Sequence, residues 1–267
     1  MARRNSEVFL IRVALPVCLW VLCVSAVPTR AQAPSLATSY ISRGNASYKE
    51  GRFVDAISDY EAALAFAPDS ALAFNNRGTA RLKNGDIDGA IADFEAALKI
   101  NSRLAQAYCN RGNALTSLKK FKEALDDFDR AIEIDPRYSL AYYNRGTARI
   151  AIEKLDDALK DFDMAVKIKP GYCEAFNNRG TIRLRRGELD RAVEDFTKAL
   201  ALNPTYVAAH ANRCIARLIQ GRNKEARQDF EAAIREDPSF KTTIDKQIEL
   251  LHISDAWKSP SADREKR

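Results

Sequence analysis

Residues Ser139–Pro170 read SLAYYNRGTARIAIEKLDDALKDFDMAVKIKP. Two stretches, 139–152 and 156–169, place apolar side chains at helical spacing. A short polar turn separates them. Pro170 ends the second, because the residue before a proline avoids helical angles. The stretch predicts a helix–turn–helix hairpin. Gly146, Ala158 and Ala165 are small enough to let the two backbones approach, and Tyr142 and Phe162 fill the space around that contact.

The unit recurs along the chain. Gly44, Gly78, Gly112, Gly146 and Gly180 stand 34 residues apart, and the next step lands on Cys214. Alanine keeps the step at Ala56, Ala90, Ala124, Ala158, Ala192 and Ala226, and again at Ala63, Ala97, Ala131, Ala165, Ala199 and Ala233. Between them lies an aromatic: Tyr60, Phe94, Phe128, Phe162, Phe196, Phe230. Another ring precedes each glycine at Tyr40, Phe74, Tyr108, Tyr142 and Phe176, with His210 in the last copy. Proline closes the unit at Pro68, Pro136, Pro170, Pro204 and Pro238, with Ser102 the exception. One hairpin cannot bury its apolar faces alone, so a fixed period of this length predicts a stacked array.

This pattern resembles the tetratricopeptide repeat family, whose 34-residue units carry an aromatic at position 4, Gly or Ala at 8, Ala at 20, an aromatic at 24, Ala at 27 and Pro at 32. The resemblance implies an all-α, right-handed α-solenoid of six repeats: 37–70, 71–104, 105–138, 139–172, 173–206 and 207–240. The sixth departs most, through His210 and Cys214, and looser packing is expected there. Residues 241–257 read as a capping helix with Ile244, Ile248, Leu251 and Trp257 on one face. The polar residues 258–267 are expected to be disordered.

Position 7 is arginine throughout: Arg43, Arg77, Arg111, Arg145, Arg179 and Arg213. A charge at a semi-buried position needs a partner. Aspartate keeps the same step at position 23: Asp59, Asp93, Asp127, Asp161, Asp195 and Asp229. Both positions lie eight residues from the turn centre at position 15, hence level in an antiparallel hairpin. An Arg–Asp ladder within each repeat follows. The rival geometry pairs each aspartate with the next repeat's arginine, such as Asp59 with Arg77.

In the resembled family, positions 2, 5, 6, 9, 12 and 13 of the first helix line a concave face. Here these give Asn75, Asn76 and Thr79; Asn110 and Asn113; Tyr143, Asn144 and Thr147; and Asn177, Asn178 and Thr181. Leu82, Ile150, Leu184 and Leu218 add apolar surface. Amides and hydroxyls in a groove can hydrogen-bond a peptide backbone without requiring charge. The same asparagines could instead bond neighbouring repeats, and both readings stand at this point. The lysine that the family's chaperone-tail binders use at position 5 is lacking.

Residues 1–33 read as an export signal. Arg3 and Arg4 precede the apolar stretch 13–26, and small residues follow. That stretch is short for a bilayer span of about 20 residues. A cleaved signal predicts a periplasmic protein; an uncleaved one predicts an inner-membrane anchor facing the periplasm. The net charge is +6, and without residues 1–33 the chain holds 38 bases against 35 acids, which argues against nucleic acid. Cys109, Cys173 and Cys214 have neither disulfide nor metal spacing. No phosphate loop, nucleophile motif or metal motif is present, and the two histidines are His210 and His252. These readings converge on a non-catalytic module with a protein or peptide partner, no small-molecule substrate, no cofactor and no metal. The alternative is a membrane-tethered component of an envelope assembly or secretion complex.

Overall fold

The computed structural model describes residues 33–252. Among them the chain forms helices only: α1 (Ala33–Lys49), α2 (Phe53–Phe66), α3 (Ala71–Lys83), α4 (Ile87–Ile100), α5 (Ala105–Ser117), α6 (Phe121–Ile134), α7 (Ser139–Ala151), α8 (Leu155–Ile168), α9 (Cys173–Arg185), α10 (Leu189–Leu202), α11 (Val207–Ile219), α12 (Asn223–Glu236) and α13 (Phe240–Leu250). Each odd helix from α1 to α11 packs on the even helix that follows, and each even helix up to α10 on the next odd one, giving an α-solenoid. First helices also touch one another, α1 on α3, α3 on α5, α5 on α7 and α9 on α11, and no comparable contact joins the second helices among the described residues. The first helices therefore form the inner wall of the curved stack.

The glycine and the ring explain each hairpin. A methyl group added at Gly112 would stand 2.7 Å from the Phe128 ring, and one at Gly180 would stand 2.7 Å from the Phe196 ring. Only a residue without a side chain leaves that space. In the sixth repeat Cys214 occupies the position and is itself buried. Phe230 is then 9% exposed where Phe94, Phe128, Phe162 and Phe196 are fully covered.

Ser102 breaks the proline pattern, yet α4 stops at Ile100 all the same. The Asn101 side chain accepts a hydrogen bond from the Arg103 N–H at 3.0 Å, a local turn that ends the helix without proline. Asp135, Asn203 and Asp237 make the same turn beside their prolines.

The turn between paired helices needs a left-handed residue. Gly51, Gly85, Gly187 and Gly221 supply it with φ between 72° and 90°. Lys119 and Glu153 hold the equivalent place at φ 58°.

Two expectations need correction. Helix α1 begins at Ala33, about one turn ahead of the expected repeat start at Ala37. The cap is shorter than 241–257: α13 ends at Leu250, and His252 at φ 54° turns the chain off the helix axis. Ile244 and Ile248 are buried as a cap requires, but Leu251 stays exposed because the helix has ended before it. Residues 1–32, Trp257 and the tail 258–267 lie outside the described residues. No helix among those described is long and apolar enough to cross a membrane.

The left-handed cost for a residue with a side chain is roughly 1–2 kcal/mol. Lys119→Gly is therefore expected to raise unfolding stability by about 1 kcal/mol, net of glycine's entropy. Gly112→Ala should lower it by about 1–3 kcal/mol through overpacking against Phe128. Midpoints of denaturant unfolding read both.

Candidate functional site

Arg145 and Asp161 show the arrangement at the centre of each hairpin. From α7, Arg145 Nη2 donates to Asp161 Oδ1 on α8 at 2.6 Å, and its Nε donates to the same carboxylate. The other repeats repeat it. Arg77 grips Asp93 through two bonds of 2.9 and 2.6 Å, Arg111 grips Asp127 at 2.8 and 2.7 Å, and Arg179 grips Asp195 at 3.0 and 2.6 Å. Arg43 with Asp59 and Arg213 with Asp229 complete the row. Asp195 is 1% exposed. In five repeats the guanidinium also lies over the ring at position 4, as Arg145 does over Tyr142 at 5.4 Å. The ring covers the cation while the carboxylate neutralises it.

The aspartates pair within their own repeats, and Arg77 does not turn to Asp59. The arginine instead reaches the preceding repeat through position 25. Arg145 donates to Asp129, Arg179 to Asp163 at 2.7 Å, and Arg213 to the Thr197 hydroxyl at 3.0 Å; Arg77 stands 3.8 Å from Glu61. One side chain thus joins two helices of one hairpin and ties that hairpin to its neighbour. Arg43 has no preceding repeat among the described residues, and its side chain is 64% exposed.

A second arginine, at position 11, was not anticipated. Arg81, Arg149, Arg183 and Arg217 donate to Asp93, Asp161, Asp195 and Asp229 at 3.0, 2.7, 2.8 and 2.6 Å. Ser47 and Leu115 stand there in the first and third repeats. The signal was present as arginine at a constant step, as were the acids at position 25.

These surroundings move the carboxyls in opposite directions. At Asp161 burial is the largest influence and raises the carboxyl against the pull of Arg145 and Arg149. At Asp229 burial also pushes upward, but bonds from His210 and Arg213 and the charges of Arg213 and Arg217 together outweigh it. Its carboxyl sits below the ordinary range, with the His210 ring standing beside it in addition to the two arginines. That ring bridges Asp229 at 3.2 Å and the Pro204 carbonyl at 2.9 Å, so the residue in the aromatic slot makes polar contacts as well as packing.

The asparagine row joins repeats. Asn110 donates to Asn75 Oδ1 at 3.0 Å and lies 3.2 Å from the Thr79 hydroxyl; Asn212 does the same to Asn177 and Thr181. Asn76 donates to Asn45, Asn144 to the Cys109 sulfur, and Asn178 to the Tyr143 hydroxyl at 3.3 Å. Asn75 and Asn177 are buried, which removes them from a groove surface. Tyr143 packs on Tyr172 and edge-on to Phe162, with centroids 4.9 and 5.8 Å apart. Asn113, half-buried, and Thr147, exposed, retain accessible surface on the inner wall. Burial raises the Cys109 thiol to about 11, so it stays protonated at neutral pH. Among the described residues no group of three or more His, Cys, Asp or Glu side chains could hold a metal.

The inner wall opens at its C-terminal end into a cleft of about 430 Å³ bounded by Leu184, Arg185, Ile219, Gln247, Leu250 and Leu251. Its far side comes from α13, which sequence reading missed by placing Leu251 on the buried face.

Comparison with known proteins agrees with this geometry. Models of the tetratricopeptide repeat match residues 41–104, 105–138, 128–160 and 173–206. No curated protein sequence matches the chain. Among solved structures, MamA is 27% identical with a TM-score of 0.53, over 60% of this chain and 94% of that one. YrrB, described as a TPR protein with an unusual peptide-binding site, is 22% identical with a TM-score of 0.57, over 70% and 97% of the two chains. The pilF protein of Pseudomonas aeruginosa is 17% identical with a TM-score of 0.66, over 86% and 97%.

Removing one partner of a buried ion pair costs about 3–5 kcal/mol. Asp195→Ala, which strips Arg183 of its close carboxylate and leaves Arg179 with Asp163 alone, is expected to lose that much. Asp59→Ala, whose partner Arg43 is solvated, should lose about 1 kcal/mol or less. A lowered carboxyl contributes stability above the ordinary carboxylate pKa of about 3.9, lost as pH falls through the folded value. The stability gap between the natural chain and Asp229→Asn should therefore narrow as pH falls below about 4. Unfolding titrations at several pH values measure it.

Proposed function

The chain belongs to the tetratricopeptide repeat family, and on that footing we propose that it is a non-catalytic scaffold or assembly factor that holds a segment of a partner protein against its inner wall. The fold is one that serves protein–protein interaction. The observation that carries the reading is how the polar side chains are used. The arginines, aspartates and most asparagines are consumed in holding repeats together. Accessible on the inner wall are Ser117, Thr147, exposed Leu72 and Leu140, half-buried Asn113, the open edges of the half-buried asparagines such as Asn144, and the cleft beside α13. Such a surface offers scattered hydrogen bonds and apolar anchors, which suits an extended or helical peptide better than a small polar substrate. A peptide-binding site described for YrrB, which shares the fold, supports the same reading. The near-even charge balance outside residues 1–33 supports a protein partner over a nucleic acid. We further propose export to the periplasm, on the strength of the basic start and apolar stretch at 13–26.

Two measurements test this. Ser117→Arg with Thr147→Arg places bulky cations at two exposed inner-wall sites and should leave the helical melting curve unchanged. Partners captured from the envelope fraction by the natural chain should be lost by this variant; an unchanged partner set would remove the inner wall from the account. N-terminal sequencing of the protein isolated from the envelope should begin after residues 1–33. A chain retaining residues 13–26 would mean a membrane-tethered component instead.

A further inference from the structure

The first repeat departs from the others at one point of its charge cluster. In four repeats the arginine at position 11 donates to the same carboxylate oxygen: Arg81, Arg149, Arg183 and Arg217 each reach Oδ2 of their aspartate. Three of them also reach the backbone carbonyl at position 19, that of Gly89, Asp157 or Glu225, at 3.5, 3.4 and 3.3 Å. The first repeat has Ser47 at position 11. Both bonds from Arg43 go to Asp59 Oδ1, and among the described residues Oδ2 accepts none. Asp59 is nonetheless only 6% exposed, and a buried carboxylate oxygen without a donor is costly. Asp59 lines a cleft of about 320 Å³ together with Arg43, Ser47, Arg52, Asp55 and Ser58. The third repeat, also without arginine at position 11, solves the same problem differently. Leu115 packs into the apolar core there, and Arg111 alone serves both oxygens of Asp127.

We propose that the cleft beside Asp59 receives one arginine side chain of a partner protein, whose guanidinium takes the place that position 11 fills in the other repeats. Its acceptors are Asp59 Oδ2 and the carbonyl of Asp55, the position 19 residue of the first repeat. Two acceptors side by side suit the planar fork of a guanidinium better than the point charge of an ammonium. Charge balance agrees. Arg43, Arg52 and Asp55 stand around Asp59; Arg213, Arg222 and Glu225 occupy the same repeat positions around Asp229, where Arg217 is held as well. The same four charges thus already accommodate a further guanidinium elsewhere in this chain. The face is also the right one for an incoming side chain. In the second and fifth repeats the position 11 arginine approaches an acid of the preceding hairpin, Arg81 to Glu61 at 3.4 Å and Arg183 to Asp163 at 4.0 Å. The first hairpin has no such neighbour among the described residues, so its cluster faces outward. None of the cleft residues occupies an inner-wall position. The contact therefore lies outside the proposed groove, and either can fail without the other.

Nα-acetyl-L-argininamide, titrated into the isotope-labelled full chain, tests this by NMR. Saturable shifts at the Ser47, Asp55, Ser58 and Asp59 amides are expected. The matching lysine derivative should bind about threefold more weakly or worse, because it lacks the fork. Ser47→Arg rebuilds the arrangement of the other repeats; it should raise the unfolding midpoint and abolish the response. Asp59→Asn should abolish the response as well, which keeps the test open if arginine at position 47 is not accommodated. An absence of saturable shifts would overturn the proposal. So would a response that survives both changes, or equal binding of the lysine derivative. Tighter binding of free L-arginine than of the blocked form would make this a small-molecule site and overturn the partner reading. Shifts at the same amides on adding inorganic phosphate but not the arginine derivative would make Arg43 and Arg52 the recognising groups and overturn it too.

Discussion

A buried carboxylate gripped by a guanidinium from the facing helix is the interaction on which this array depends. An aspartate such as Asp195, almost without solvent, carries a desolvation cost that only close and complete pairing offsets. Arg179 and Arg183 supply that pairing. Arg179 also covers the Phe176 ring and reaches back to Asp163 in the preceding repeat. Each cluster thus specifies the level of two helices in one hairpin and the offset between hairpins. Replacing leucine, usual at position 7 of the resembled family, with arginine exchanges apolar burial for positional specificity.

Much of this was legible in the sequence, because a 34-residue step exposes anything that repeats. Gly146 against Phe162 and Arg145 level with Asp161 both follow from counting residues around a turn. The unread parts share a cause: they depend on how neighbouring units are offset, which spacing within one unit does not contain. The acids at position 25 matter only because the stack brings Asp129 beside Arg145. The asparagines look like a binding stripe until Asn110 is seen donating back to Asn75. The cap ended early for a local reason, the left-handed turn at His252, in a residue that carries a side chain and gives no glycine signal.

Function follows by subtraction. The NRG signature, which in an isolated hairpin offers two polar side chains, spends most of both in the stack, since Asn144 bonds back to Cys109 and Arg145 to Asp129 in the preceding repeat. On the proposed scaffold reading, recognition falls to the less regular places: the threonine and leucine edges of the inner wall and the cleft at its C-terminal end.

A double-mutant cycle on Arg145 and Asp161 tests the central claim most directly. Arg145→Met, Asp161→Leu and the pair together are compared by unfolding free energy. If the buried pair organises the hairpin, each single change strands charge and is costly. The double change then recovers much of the loss, leaving a coupling energy near the upper end of the roughly 0.5–3 kcal/mol range for contacting residues. Additive losses, with no coupling, would contradict the account and reduce the Arg–Asp row to decoration on an array held together by its alanines and rings.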